Sequence, residues 1–202
     1  MRVSLRSAAL LSLPVAAVLA LVACTQPVPV PAAAPAPDPA AAKAAQIEHG
    51  HMLVIGGGCH DCHTPKKIGP NGPEADMDRM LSGHPESDVI TAPFKQVKGD
   101  KWTTHVNDHL TAWSGAWGVS FAANLTPDDN TGIGIWTEDM FLSALKTGRH
   151  MGVSRPILPP MPWQAFRNLT DGDLQAIFSY LRTVAPVHNR VPDPVFAPEA
   201  AN

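Results

Sequence analysis

Cys59-His60-Asp61-Cys62-His63 carries the densest chemistry in this 202-residue chain. Two thiols three positions apart share one turn of a helix, and an imidazole directly follows the second. Cys-x-x-Cys-His is the pattern of covalent c-type heme attachment, in which the thiols reach the two vinyl groups and the histidine lies under the porphyrin as the proximal iron ligand. Two other chemistries use Cys-x-x-Cys. A structural zinc site needs four ligands, and neither a second Cys pair nor a closely spaced His pair follows. A thioredoxin-like redox pair wants a βαβ setting, whereas the flanks here read as helical. The motif therefore implies one covalent heme c on Cys59 and Cys62, with His63 on the metal.

A second iron ligand must come from elsewhere in the chain. Met161 lies in Ile157-Leu158-Pro159-Pro160-Met161-Pro162-Trp163, where flanking prolines fix the backbone and prevent helix formation. Such a strap can aim a thioether at iron; the alternative is a loop methionine that fills a gap in the core. Met151, His150 and Met80 are the other candidates, each near a turn or a helix end. His49 and His51 read as surface residues of a helix, and His60 as one of the variable pair inside the motif. His84, His105, His109 and His188 read as ordinary polar loop residues.

The third cysteine has another context. Arg2 and Arg6 precede a nearly uncharged stretch, Ala8 to Ala23, that ends Leu21-Val22-Ala23-Cys24. The stretch is shorter than the ~20 apolar residues of a membrane-spanning helix, so residues 1–23 read as an export signal. The last four residues resemble the bacterial lipobox, which makes Cys24 the lipidated N-terminus of the mature chain. Residues 24–42 are then the lipidated cysteine and a linker, with Pro27, Pro29, Pro31, Pro35, Pro37 and Pro39 set among Ala and Val. At ~3.1 Å per residue, a polyproline linker of this length holds a domain roughly 50 Å from a membrane. The mature chain would carry 13 basic and 18 acidic side chains, so the lipid rather than charge must hold it to an anionic bilayer. A net −3 for the whole chain also argues against a nucleic-acid partner.

The elements that position these residues read as helices. An Ala-rich segment over 40–55 carries Ile47, Leu53 and Val54, with Gly50 at its middle; a glycine there costs about 1 kcal/mol relative to alanine and suggests a close approach. Thr137 starts a helix through Lys146, with Phe141, Ala144 and Leu145 inward and Gly148 as its stop. Thr170 is the expected cap of the last helix, with Asp173 completing a capping box. Leu174, Ile177, Phe178 and Leu181 form its apolar stripe, and Pro186 stops it. No alternating strand of five or more residues is found. The 21 prolines and 15 glycines call for many loops.

From Lys43 onward the chain resembles the class I cytochrome c family, and within it bacterial cytochromes that serve periplasmic dehydrogenases. The resemblance is carried by Gly50 to Cys59, Cys62-His63-Thr64-Pro65, Asn124-Leu125-Thr126-Pro127-Asp128, Thr131 to Trp136, Pro160-Met161-Pro162 and Leu169-Thr170-Asp171. It implies an all-α fold over 43–202 in which the first and last helices cross at a glycine and loops enclose the heme. It also places the axial methionine at Met161, and a Gly-Pro whose carbonyl accepts the His63 Nδ1–H at Gly69-Pro70. The departure is an insertion at about 71–123, since Cys62 and Met161 stand 99 residues apart. That stretch holds Trp102, Trp113, Trp117 and the cluster Lys95, Lys98, Lys101. It is expected to pack as a structural cover over the heme or the domain flank; a partner-docking surface is the other reading.

Asp128-Asp129-Asn130 is too short for a calcium loop. The Asn-Leu-Thr triplets at 124 and 168 read as turns before caps rather than glycosylation sites. Arg149, Arg155 and Arg167 are candidate partners for heme propionates, and Trp163 a candidate donor to one. His/Met ligation saturates the iron, so the expected function is electron transfer between redox proteins: a dehydrogenase, an oxidase or another cytochrome. A fixed subunit of a complex, and a heme enzyme or sensor with a displaceable sixth ligand, are the alternatives.

Overall fold

Asp38 begins the first helix: its side chain accepts a hydrogen bond from Ala40 N at 3.1 Å, and Pro39 takes the first helical position, where a missing N–H costs nothing. The computed structural model describes residues 38–90, 99 and 101–197. Cys24, the export segment, the linker up to Pro37, Lys95 and Lys98 lie outside the described residues.

Helix α1 runs Pro39–Gly56, so the last residues of the expected linker lie in its first turn. A short α2, Cys59–His63, follows directly. Helix α3 covers Glu138–Thr147, capped by the Thr137 side chain and ended by Gly148 at φ 70°. Residues Trp163–Phe166 form the single turn α4. Helix α5, Asp171–Leu181, opens on a full capping box between Thr170 and Asp173 and ends five residues before Pro186.

Helices α1 and α5 cross at Gly50, where an added Cβ would run into the Ala176 carbonyl. Three side-chain links surround the crossing. His49 Nε2 donates to Asp173 Oδ1 at 2.7 Å, Lys43 Nζ donates to Ser179 Oγ at 2.9 Å, and the His51 ring stacks on Tyr180 at 4.8 Å. Beneath them Val54, Leu81, Ile133, Phe141, Leu145, Leu174, Ile177, Phe178, Leu181 and Val184 make one buried apolar cluster.

The expectation of an all-α fold is overturned. The described residues hold five helices and six strands in two antiparallel sheets, a mixed α/β structure. Strands β1 (Lys66–Gly69) and β2 (Gly72–Ala75) make a hairpin. Strands β3 (Thr104–Val106), β4 (Ala112–Gly115), β5 (Gly118–Phe121) and β6 (Val195–Phe196) make a sheet in that order. Four strands thus fall within the stretch expected to be a loop. Each strand has only two to four residues, too few for a period-2 pattern to emerge. Their pairing is set instead by turns such as Gly115-Ala116-Trp117-Gly118, where Gly115 pairs with Gly118.

Of the three tryptophans there, Trp113 and Trp117 are half-buried, whereas Trp102 is 71% exposed. His84, expected as an ordinary polar loop residue, does lie in a loop but inside the protein. It is fully buried, with Nδ1 at 2.9 Å from Thr111 Oγ1, and its Nε2 donates to Asp88 O at 2.8 Å.

Candidate heme-binding site

Gly57 closes α1 and Gly58, at φ 66°, turns the chain directly into α2. An L-residue at that φ would be strained, so Gly58 is what allows two helices to abut without a linker. The single turn of α2 places Cys59 and Cys62 three residues apart, both half-buried and not joined by a disulfide. Burial pushes the Cys59 thiol up to about 11, with Cys62 and Asp61 adding repulsion. Burial raises the Cys62 thiol as well. Among the described residues, no group of three or more His, Cys, Asp or Glu side chains could hold a metal ion.

His63 is buried, and its Nδ1 donates to the Ala123 carbonyl at 2.8 Å. Burial lowers its pKa, favouring the neutral ring. With the proton fixed on Nδ1, the lone pair is on Nε2, which no hydrogen bond reaches among the described residues. A carbonyl on the far nitrogen is the usual way a protein fixes the tautomer of a metal-binding imidazole and raises its basicity. Two thiols on one turn and a neutral, oriented imidazole beside them form a donor set that suits a covalent heme.

The carbonyl partner corrects the sequence reading. Pro70 was expected to accept the Nδ1–H, but it is exposed in the turn between β1 and β2. Ala123 takes that place because its segment is fixed on both sides: Ala122 N donates to Thr111 O at 2.8 Å, and Leu125 N to Leu81 O at 2.9 Å. Opposite it, Gly83 N donates to His63 O at 2.8 Å, and a Cβ on Gly83 would collide with the Ala122 and Ala123 backbone. Leu81 sits at φ 58°, a conformation costly for leucine. Thr64 Oγ1 holds it by accepting from Leu81 N at 3.0 Å. Thr64 is thus a buried brace for the motif and Asn124 a buried hub. Asn124 Nδ2 donates to Val187 O at 2.8 Å while its Oδ1 accepts from Thr126 N and Oγ1.

Met161 is half-buried and packs against the apolar cluster, as do Cys59 and Met80. Its strap begins where Ile157 N donates to Gly148 O at 2.8 Å, and passes a cis bond between Pro159 and Pro160. Ser120 Oγ donates to Pro159 O at 2.5 Å. The Trp163 ring closes the strap by lying on Gly148. A hollow of about 180 Å³ is lined by Ile157, the strap prolines, Met161, Trp163 and Gln164. Arg149 and Arg167 are exposed, Arg167 with its guanidinium 5.9 Å from the Trp163 ring, and half-buried Arg155 interacts with Asp193. Asp128 closes a turn by accepting from Asn130 N, Thr131 N and Thr131 Oγ1.

Comparison with known proteins points the same way as the donor set. Over 142 residues, 70% of its length, the chain is 28% identical to the fructose dehydrogenase cytochrome subunit of Gluconobacter japonicus. It is 36% identical over 80 residues, 38% of its length, to the cytochrome c subunit of the quinone alcohol dehydrogenase of Gluconobacter oxydans. The chain resembles dehydrogenase cytochrome subunits. It is also 36% identical over 74 residues, 35% of its length, to the cytochrome c subunit of the gluconate 2-dehydrogenase of Pantoea cypripedii. The matched regions cover 22%, 16% and 16% of these three relatives, so this cytochrome-like chain corresponds to a fraction of each. No protein-family model matches it.

Proposed function

We propose that this chain is an electron-transfer cytochrome that carries one covalent heme c and passes single electrons between redox proteins. The observation that carries the reading is the pair Cys59 and Cys62 on one turn, with the buried His63 imidazole beside them held by the Ala123 carbonyl. Cys59 and Cys62 would hold the group by thioethers, and His63 Nε2 and Met161 would ligate its iron. Bound heme supplies a one-electron Fe(II)/Fe(III) couple. The chain's own part is to keep the His63 proton on Nδ1, to hold Met161 on a stiff strap and to shield both with the apolar cluster. With two protein ligands on the iron no position is left for substrate, which favours a carrier over a catalyst.

The named relatives are cytochrome subunits of dehydrogenases, which favours a dehydrogenase as electron donor and an oxidase or further cytochrome as acceptor. Cys24 would carry a lipid and anchor the exported chain to a bacterial membrane, facing the periplasm. Among the described residues no helix is long and apolar enough to cross a membrane. The linker would let the domain move between partners while the anchor raises their encounter frequency.

The test is the visible and near-infrared spectrum of the purified protein, oxidised and reduced, before and after carbon monoxide. A ferric Met-to-iron charge-transfer band, absent in Met161→Ala, and no carbon monoxide shift on mixing, only slow capture over long exposure, in the unaltered protein are the expected results. A high-spin ferric spectrum or rapid carbon monoxide binding would replace the carrier reading with ligand or peroxide chemistry.

A further inference from the structure

Residues 120–123, the end of β5 and its exit, reach His63 and the strap that carries Met161. The Ala123 carbonyl accepts the His63 Nδ1–H at 2.8 Å. Three residues earlier, Ser120 Oγ donates to the Pro159 carbonyl at 2.5 Å, two residues before Met161. Ser120 is buried, and its oxygen in turn accepts from Trp117 Nε1 at 3.3 Å. Trp117 is itself anchored, since its backbone oxygen accepts from Ala197 N at 2.9 Å. The result is a short chain of donors, indole to hydroxyl to strap carbonyl, in which each bond polarises the next. The strap needs such a fastening because its prolines at 159, 160 and 162 lack N–H groups.

We propose that Ser120 is the positioning residue of the sixth iron ligand. Its hydroxyl fastens the Met161 strap to the strand whose exit holds His63, so that one rigid segment sets where both ligands stand. This rests on the reading of Met161 given above. β5 is then a structural part of the site rather than a cover. The hydroxyl forms no bond to iron; it acts by restricting the strap's excursions, so its removal loosens Met161 and leaves His63 in place.

The test uses the full-length, heme-loaded protein and compares Ser120→Ala, Trp117→Phe, Val119→Ala and Met161→Ala. Val119 is buried beside Ser120, on the opposite face of β5, so Val119→Ala weakens the sheet without touching the strap. Two quantities are read: the ferric Met-to-iron band and the rate of carbon monoxide capture by the ferrous protein. Losing one buried hydrogen bond should speed capture in Ser120→Ala about five- to tenfold and weaken the band. Trp117→Phe should shift both in the same direction by less, and Val119→Ala should change neither despite a lower melting temperature. Ser120→Ala behaving as the parent, or Val119→Ala matching Ser120→Ala, would overturn the proposal while leaving His63/Met161 ligation intact. If Met161→Ala keeps the band, the assignment of Met161 fails and the proposal falls with it.

Discussion

A single backbone carbonyl decides the state of His63. Ala123 O accepts a hydrogen bond from Nδ1–H, which keeps the proton there and leaves the lone pair on the outward nitrogen, and burial disfavours a second proton on the ring. Pro70, in its exposed turn, has no part in this arrangement. Pro70→Ala is therefore expected to leave the heme spectrum and the reduction potential unchanged, as optical redox titration would show; a large fall in potential would restore Pro70 to the site. The two thiols should be equally decisive at this scale. Replacing both Cys59 and Cys62 by Ala should leave a heme that acid acetone extracts completely, while the parent protein retains its heme.

At the scale of elements, the crossing of α1 and α5 depends on a position that carries no side chain. A methyl at Gly50 would have to displace the Ala176 carbonyl of the facing helix. Gly50→Ala should therefore destabilise by about 3 kcal/mol, as overpacked cores do, despite the gain of about 1 kcal/mol in helix propensity; urea unfolding measures the sum. The latch beside the crossing adds a pH dependence. The Thr170 hydroxyl and then His49 hold the Asp173 carboxyl down at about 2, against an ordinary 3.8. A carboxyl depressed in the folded state contributes fully above its unfolded pKa and loses that contribution as pH falls through the folded value. The melting temperature should thus drop between about pH 4 and pH 2, and Asp173→Asn should flatten that part of the profile.

For the whole molecule, the proposed anchor and the proposed redox site are separable. Cys24→Ser should move the exported protein from the membrane to the soluble fraction without altering its spectrum, as fractionation followed by a heme stain would reveal. Retention in the membrane would transfer anchoring to a protein partner, the behaviour of a fixed subunit. The second sheet bears on this choice: it presents an exposed Trp102 and an exposed Lys101 beside β3, and its β5 braces the Met161 strap.

Much of the molecule was legible from local sequence because its causes are local. The caps at Thr137, Thr170 and Gly148, the stripe from Leu174 to Leu181 and the spacing of Cys59, Cys62 and His63 each follow from residues within one or two helical turns. The glycine at the helix crossing was legible for the same reason, as a costly residue inside a strong helical pattern. The six strands were not, because segments of two to four residues leave no period to read and gain their stability only from partners elsewhere in the chain. The site divided along the same line. Which side chains could bind a heme was written in their types and spacing. What orients them was decided by contacts 60 residues apart at His63 and Ala123, and 39 apart at Ser120 and Pro159. In both bonds the acceptor is a main-chain carbonyl, a group that every residue possesses, so no residue type marks it; only the folded path of the chain selects which carbonyl is used.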